Sequence, residues 1–125
     1  MSDEISQQRT AVTAAALLES ATLLSIDSRR DDSTHTISLC GELDLATVDD
    51  VQRELLRVES SDARHIVLDL SGLSFMDSSG VHLVVDARAR SRAGSHRRLR
   101  IVRGPDNVQR VFVLTDLHAH LRFVA

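Results

Sequence analysis

The side chains best suited to chemistry lie in Asp77-Ser78-Ser79-Gly80, two hydroxyls between a carboxylate and a glycine. They sit inside Val67 to Arg90, VLDLSGLSFMDSSGVHLVVDARAR. Val67, Leu68 and Leu70 read as a short buried strand stopped by Ser71-Gly72, a turn signal. Val81, Leu83, Val84, Val85 and Ala87 follow at helix-compatible spacing, which puts both serines at a helix N-terminus. Free backbone N–H groups and the helix dipole favour an anion there, so the turn suits a serine to which phosphate is added. Serine is also an ordinary N-cap, and on residue type alone capping by Ser78 or Ser79 is the simpler use. A hydrolase fits poorly. A nucleophile elbow needs G-x-S-x-G and a placed base, whereas Ser79 follows another serine and His82 falls in the first helical turn.

Other candidates are weaker. His118 and His120 alternate on a strand, but no cysteine or carboxylate cluster accompanies them, so solvated or packed imidazoles are expected rather than a metal site. Among Glu42, Asp44, Asp49 and Asp50, the last two have a plain role as helix-start charges. Arg88, Arg90, Arg92, Arg97, Arg98, Arg100 and Arg103 form the strongest local charge bias. Three of them suit a helix C-terminus, and the group as a whole is either a solvated end or a landing strip for an acidic partner or a nucleotide phosphate. Cys40 stands alone, which excludes an internal disulfide; a buried strand thiol and a reducing cytoplasm are expected.

Stepping along the chain, Ala21 to Ser28 and Thr34 to Cys40 read as two strands joined through Arg29–Ser33. Leu24, Ile26, Ile37 and Leu39 are their core positions. Gly41-Glu42-Leu43-Asp44 is expected as a loop. Thr47 then caps a helix whose Val48, Val51, Leu55 and Val58 form one apolar face, and Ser60-Ser61-Asp62 ends it. The strand, turn and helix of residues 67–90 come next, with Gly94 as the helix stop. Leu99 to Arg103 is a further strand. Gly104-Pro105 opens a third helix with apolar Val108, Val111, Phe112 and Leu114, and Leu121 to Val124 is the last strand. The order β-β-α-β-α-β-α-β predicts one α/β domain over 21–125, a mixed, mostly parallel sheet with an N-terminal hairpin, packed with three to four helices. Residues 1–20 are expected to be an N-terminal extension, disordered or partly helical. Its Thr10–Leu18 stretch is a poor signal peptide and too short to cross a bilayer.

Composition narrows the function. The 125 residues suit one compact domain, and 42% apolar with 26% charged residues is ordinary for a globular protein. A net charge of −3, with three Phe and neither Trp nor Tyr, gives no basis for direct nucleic-acid binding. All 15 basic residues are Arg. Without Lys there is no P-loop, no Schiff-base chemistry and no receiver-type aspartyl phosphorylation.

Taken together, GELD at 41–44, HIVLDLSGLSFMDSSG at 65–80 and VQRVFVLTDL at 108–117 resemble the STAS domain family, specifically the stand-alone bacterial anti-sigma factor antagonists. The resemblance covers roughly residues 21–125 and agrees with the order of elements. It implies a cytoplasmic regulatory protein of transcription and stress response, with no catalytic residue, cofactor, metal or membrane partner. It implies phosphorylation on the second serine, Ser79, by an anti-sigma factor that is a serine kinase of the GHKL ATPase type. The unphosphorylated antagonist binds that kinase and releases the sigma factor; a PP2C-type phosphatase restores it. Asp44, Leu45, Ala46 and Thr47 match the family's contact loop, and Asp77, Ser78 and Gly80 match the neighbours of the phosphorylated serine. His82 stands where a glycine is frequent, and Asp116 where the closing turn often has one. Two other roles within the resemblance are a scaffold-type STAS module of a stress-signalling assembly and a nucleotide-binding STAS sensor that uses the segment near Arg97 and Arg98.

Overall fold

The computed structural model describes residues 23–93, 98–115 and 121–124. The elements are β1 (Leu24–Asp31), β2 (Thr34–Leu43), α1 (Val48–Glu59), β3 (His65–Met76), α2 (Ser78–Ala93), β4 (Arg98–Val102), α3 (Asp106–Leu114) and β5 (Phe123–Val124). They form a five-stranded sheet in the order β1-β2-β3-β4-β5. β1 and β2 are antiparallel and the other pairs are parallel. Each parallel crossover advances one strand in the same direction, and crossovers are right-handed, so the three helices gather on one face. That face holds the core: Ile37, Leu39, Leu68, Leu70 and Ile101 from the sheet, with Val51, Leu55, Val84 and Phe112 from the helices. Along β2 the alternate residues Thr34, Thr36 and Ser38 turn to the other face, as a period of two requires.

The periodic elements fall where the sequence places them. Val51, Leu55 and Val58 of α1 are buried. In α3 Val108 and Phe112 are buried and Phe112 meets Phe123 edge-on, ring centroids 5.0 Å apart. Leu114 is the exception, 76% exposed, because it lies about 200° round the helix from Phe112.

Several expectations change. β1 runs Leu24–Asp31, three residues past its expected end at Ser28, and the hairpin turns tightly at Asp32-Ser33, with Asp32 at φ 55. Asp accepts that left-handed turn geometry. Cys40 is exposed, since it follows the inward Leu39 on the strand. Gly41, Glu42 and Leu43 are strand, not loop. Gly41 is required at φ 117, where a Cβ would stand 2.1 Å from the Leu23 carbonyl oxygen.

The largest correction concerns Ser71-Gly72, which makes no turn. β3 continues through it to Met76 by means of two bulges. Pairing passes from Ser38↔Asp69 to Cys40↔Gly72, and from Gly41↔Leu73 to Glu42↔Phe75, each step giving β3 one residue more than β2. Asp69 Oδ1 accepts the Ser71 N–H at 2.9 Å at the first bulge. The bulges reset the inward phase, so Leu70, Leu73 and Met76 are buried three apart and Phe75 is left 46% exposed. Residues 1–20, Gly94, Arg97, Asp116, His118 and His120 lie outside the described residues.

Candidate partner-binding site

β2 and β3 are parallel neighbours that end together at Leu43↔Met76. Their following loops therefore emerge side by side at the C-terminal edge of the sheet, where open α/β sheets place their binding sites. The first loop, Asp44–Thr47, leads into α1; the second, centred on Asp77, leads into α2. Asp77 N–H donates to the Leu43 carbonyl at 3.2 Å, which carries the ladder one step past the strands.

Asp77 joins the two loops. Its Oδ1 accepts the Ser79 N–H at 2.8 Å, and its Oδ2 accepts the Leu45 N–H at 3.4 Å. The α2 cap is thus Asp77, and neither Ser78 nor Ser79 serves that purpose. Its position corrects the idea of an open anion seat at this helix start, because a carboxylate already takes the Ser79 amide. Asp44 plays the same part before α1: Oδ1 accepts the Ala46 and Thr47 N–H groups at 3.0 and 3.2 Å. Thr47 makes no side-chain cap to its own helix. It is buried, accepting from the Asp44 N–H at 3.0 Å and donating to the Glu42 carbonyl at 2.9 Å. Asp and Thr are short enough to bond their own backbone, which is why both loops are tight.

The exposed part of this surface is small and specific. Leu45 is 78% exposed, and Ala46, Ser78 and His82 are exposed around it. Ser79 is half-buried in the first turn of α2, and its hydroxyl has no partner among the described residues. His82, one turn further on, shares its side of the helix but makes no bond to it. Gly80 is buried: a Cβ would lie 2.5 Å from Met76 Cγ and 3.0 Å from Leu43 Cδ2. It lets the helix start press on the strand ends. Thr47 and Gly80 therefore shape the surface from beneath, while Asp44, Leu45, Ala46, Asp77, Ser78, Ser79 and His82 are arranged at it.

Phe75 belongs to the same edge and was not singled out from the sequence. The triplet spacing Leu70, Leu73, Met76 was the available signal, because it leaves Phe75 out of the inward phase. Ser74 beside it is fastened on both sides: Oγ donates to the Gly41 carbonyl at 3.2 Å, and Asn107 Nδ2 donates to the Ser74 carbonyl at 2.8 Å. The Ser79 hydroxyl is hydrogen-bonded to no base among the described residues, and no cluster of three or more metal-ligating side chains occurs among them. No helix among them is long and apolar enough to cross a membrane.

The architecture is a one-sided α/β sheet with paired loops at the C-terminal ends of β2 and β3. The chain belongs to the STAS domain family, whose model matches residues 25–125. It is 29% identical over 94 residues to the anti-sigma-B factor antagonist of Staphylococcus aureus, covering 75% of this chain and 86% of that protein. An anti-sigma factor antagonist from Mycobacterium paratuberculosis shares the fold with a TM-score of 0.71 at 23% identity, over 80% of this chain and 84% of that one. The antagonist SpoIIAA in its unphosphorylated form gives a TM-score of 0.65 at 25% identity, over 81% and 89% of the two chains. The phosphorylated Bacillus SpoIIAA gives 0.61 at 25% identity, over 81% and 92%.

Proposed function

We propose that this protein is an anti-sigma factor antagonist of the cytoplasm that works by partner switching. Unphosphorylated, it binds an anti-sigma factor serine kinase of the GHKL ATPase type and frees the sigma factor. Phosphorylation of Ser79 switches it off, and a PP2C-type phosphatase resets it. It is the kinase's substrate and needs no catalytic residue of its own. The observation that carries this reading is the Asp77 carboxylate, which ties the Leu45 loop to the Ser79 turn and leaves the serine hydroxyl unpartnered.

That arrangement makes a switch without refolding. A phosphoserine adds about −1.5 to −2 charges at pH 7. Because Asp77 already holds the Ser79 amide, the new charge is not absorbed by that donor and stands beside a carboxylate, facing the partner. An interface built on Leu45 and the acidic turn then meets bulk, like charge and a desolvation cost together. A relative of the same fold is known in both unphosphorylated and phosphorylated forms, which supports the reading. The test is to incubate the protein with its cognate kinase and ATP and to locate phosphate by mass spectrometry. Phosphate on Ser79, absent from Ser79→Ala, is expected; unchanged phosphorylation of Ser79→Ala would overturn the assignment.

A further inference from the structure

The helices gather on one face of the sheet, and no described element lies on the other. That bare face divides into two unlike halves. The half towards the N-terminal ends of the parallel strands is charged, with Asp31, His65, Arg98 and Arg100 around a hollow. The half beside the partner surface is small and apolar. There Ser25 pairs with Cys40 and Cys40 with Gly72, a row of small residues across three strands, all exposed. A Cβ on Gly72 would stand 2.7 Å from the Leu39 carbonyl oxygen, which keeps the row low. Leu23 and Phe75 rise beside this row, 37% and 46% exposed. Glu42 pairs with Phe75, and Leu23 precedes the Leu24↔Gly41 pair by one residue, so both apolar groups sit at one level of the sheet. Apolar area left in water gains by being covered.

The chain itself supplies the cover. Leu23 is the first described residue, and 22 residues precede it at this same edge. Among them Ala11, Ala14, Ala15 and Leu18 recur at i, i+3, i+4 and i+7, the spacing of one helical face, and residues 10–18 carry no charge. Three alanines on one face permit close packing on Ser25, Cys40 and Gly72. Nine helical residues are about 14 Å long, enough to cross the two strand spacings of about 10 Å between β1 and β3. Residues 19–22 reach up to about 13 Å, enough to turn the stretch back over the sheet. The charged half offers an uncharged segment no comparable apolar contact.

We infer that residues 10–18 dock as a short helix on this half of the bare sheet face, over Leu23, Cys40 and Phe75. Nine residues are too few for a helix that stands alone in water, so the segment folds as it docks. Phe75 comes two residues before Asp77, which holds the Leu45 amide. The docked segment therefore walls one side of the surface that carries Leu45 and Ser79.

Cys40 is the chain's one cysteine and is exposed within the seat, so its reactivity reports on the cover. In the full chain, Ala15→Asp combined with Leu18→Asp is expected to speed alkylation of Cys40 by iodoacetamide about tenfold, the ratio for a seat covered about nine-tenths of the time. Equal rates in the two chains would overturn the inference. Both substitutions lie in the segment and leave the domain's core intact. A nitroxide on Ala15→Cys, in a Cys40→Ser background, then locates the segment. Broadened amide signals are expected at Leu23–Ser25, Glu42 and Gly72–Phe75, and not at His65 or Arg98. Broadening centred on the charged half, or none on the sheet, would overturn the docking site. Broadening that arises only between nitroxide-labelled chains and separate isotope-enriched ones would overturn it too, by making the occupant a second copy.

Discussion

The two ends of α2 solve opposite problems with the same means, a side chain that satisfies backbone. At the N-terminal end Asp77 takes up amides from two loops and leaves a serine hydroxyl free. At the C-terminal end Arg88 takes up the Leu99 carbonyl, and Arg92 is exposed one turn further on. The first end is acidic with an exposed leucine, the second basic. The difference teaches that the helix carries two surfaces of unlike charge, and a modification at one does not reach the other by contact.

Breaking that comparison at its strongest point means replacing Ser79 by Asp. Kinase binding is expected to fall at least about 100-fold, about 2.7 kcal/mol, in a calorimetric titration. Arg92→Glu at the far end of the helix should bind the kinase as the parent does. Equal losses from both would merge the two surfaces into one. Gly80→Val comes next: its side chain has to displace Met76 and Leu43, at about 2 kcal/mol in a urea unfolding curve. Unaltered stability would mean that the helix start is not pressed on the strands.

Asp77→Ala should cost about 1 kcal/mol as a lost cap, with Asp77→Asn recovering much of it. It should also broaden the Leu45 amide signal, since that tie to the second loop is gone; a sharp, unshifted Leu45 signal would argue against the shared carboxylate. The smallest effect lies away from both ends, where Glu54 and His35 pack near Arg57. The Arg57 hydrogen bond lowers the Glu54 carboxyl to about 2. Burial first, and then Arg57, lowers His35 below its usual 6.5. Both groups bind protons less readily folded than unfolded, so stability is lost as pH falls, through His35 below about 6.5 and through Glu54 from about 4.5 towards 2. Tm should drop by about 5 °C or less in the upper window, and His35→Gln should flatten that part of the profile. An unchanged slope in that variant would assign the upper window to another group.

Much of the fold was legible because its helices are amphipathic and its strands are separated by them. The apolar spacing of Val51, Leu55 and Val58 names a helix face with no knowledge of what covers it. The motifs at 41–44, 65–80 and 108–117 together carry the resemblance to the family. The site was half legible. Asp44, Leu45, Asp77 and Ser79 could be named, but the cap could not be assigned, because Ser78, Ser79 and Asp77 are all good capping residues and only a bond to a particular amide distinguishes them.

What the sequence determined by itself is what local rules govern: the periodic faces, the crossover order, and the lone cysteine that admits no internal disulfide. Tertiary structure decided the rest. Strand pairing, not composition, let β3 absorb Ser71-Gly72 as a bulge and turned Phe75 outward. Parallel register alone brought Leu45 to Asp77. Packing of α2 on the sheet alone brought Arg88 to the Leu99 carbonyl of β4. Side-chain spacing repeats over a few residues, whereas these contacts depend on which backbone groups, far apart in the chain, find one another.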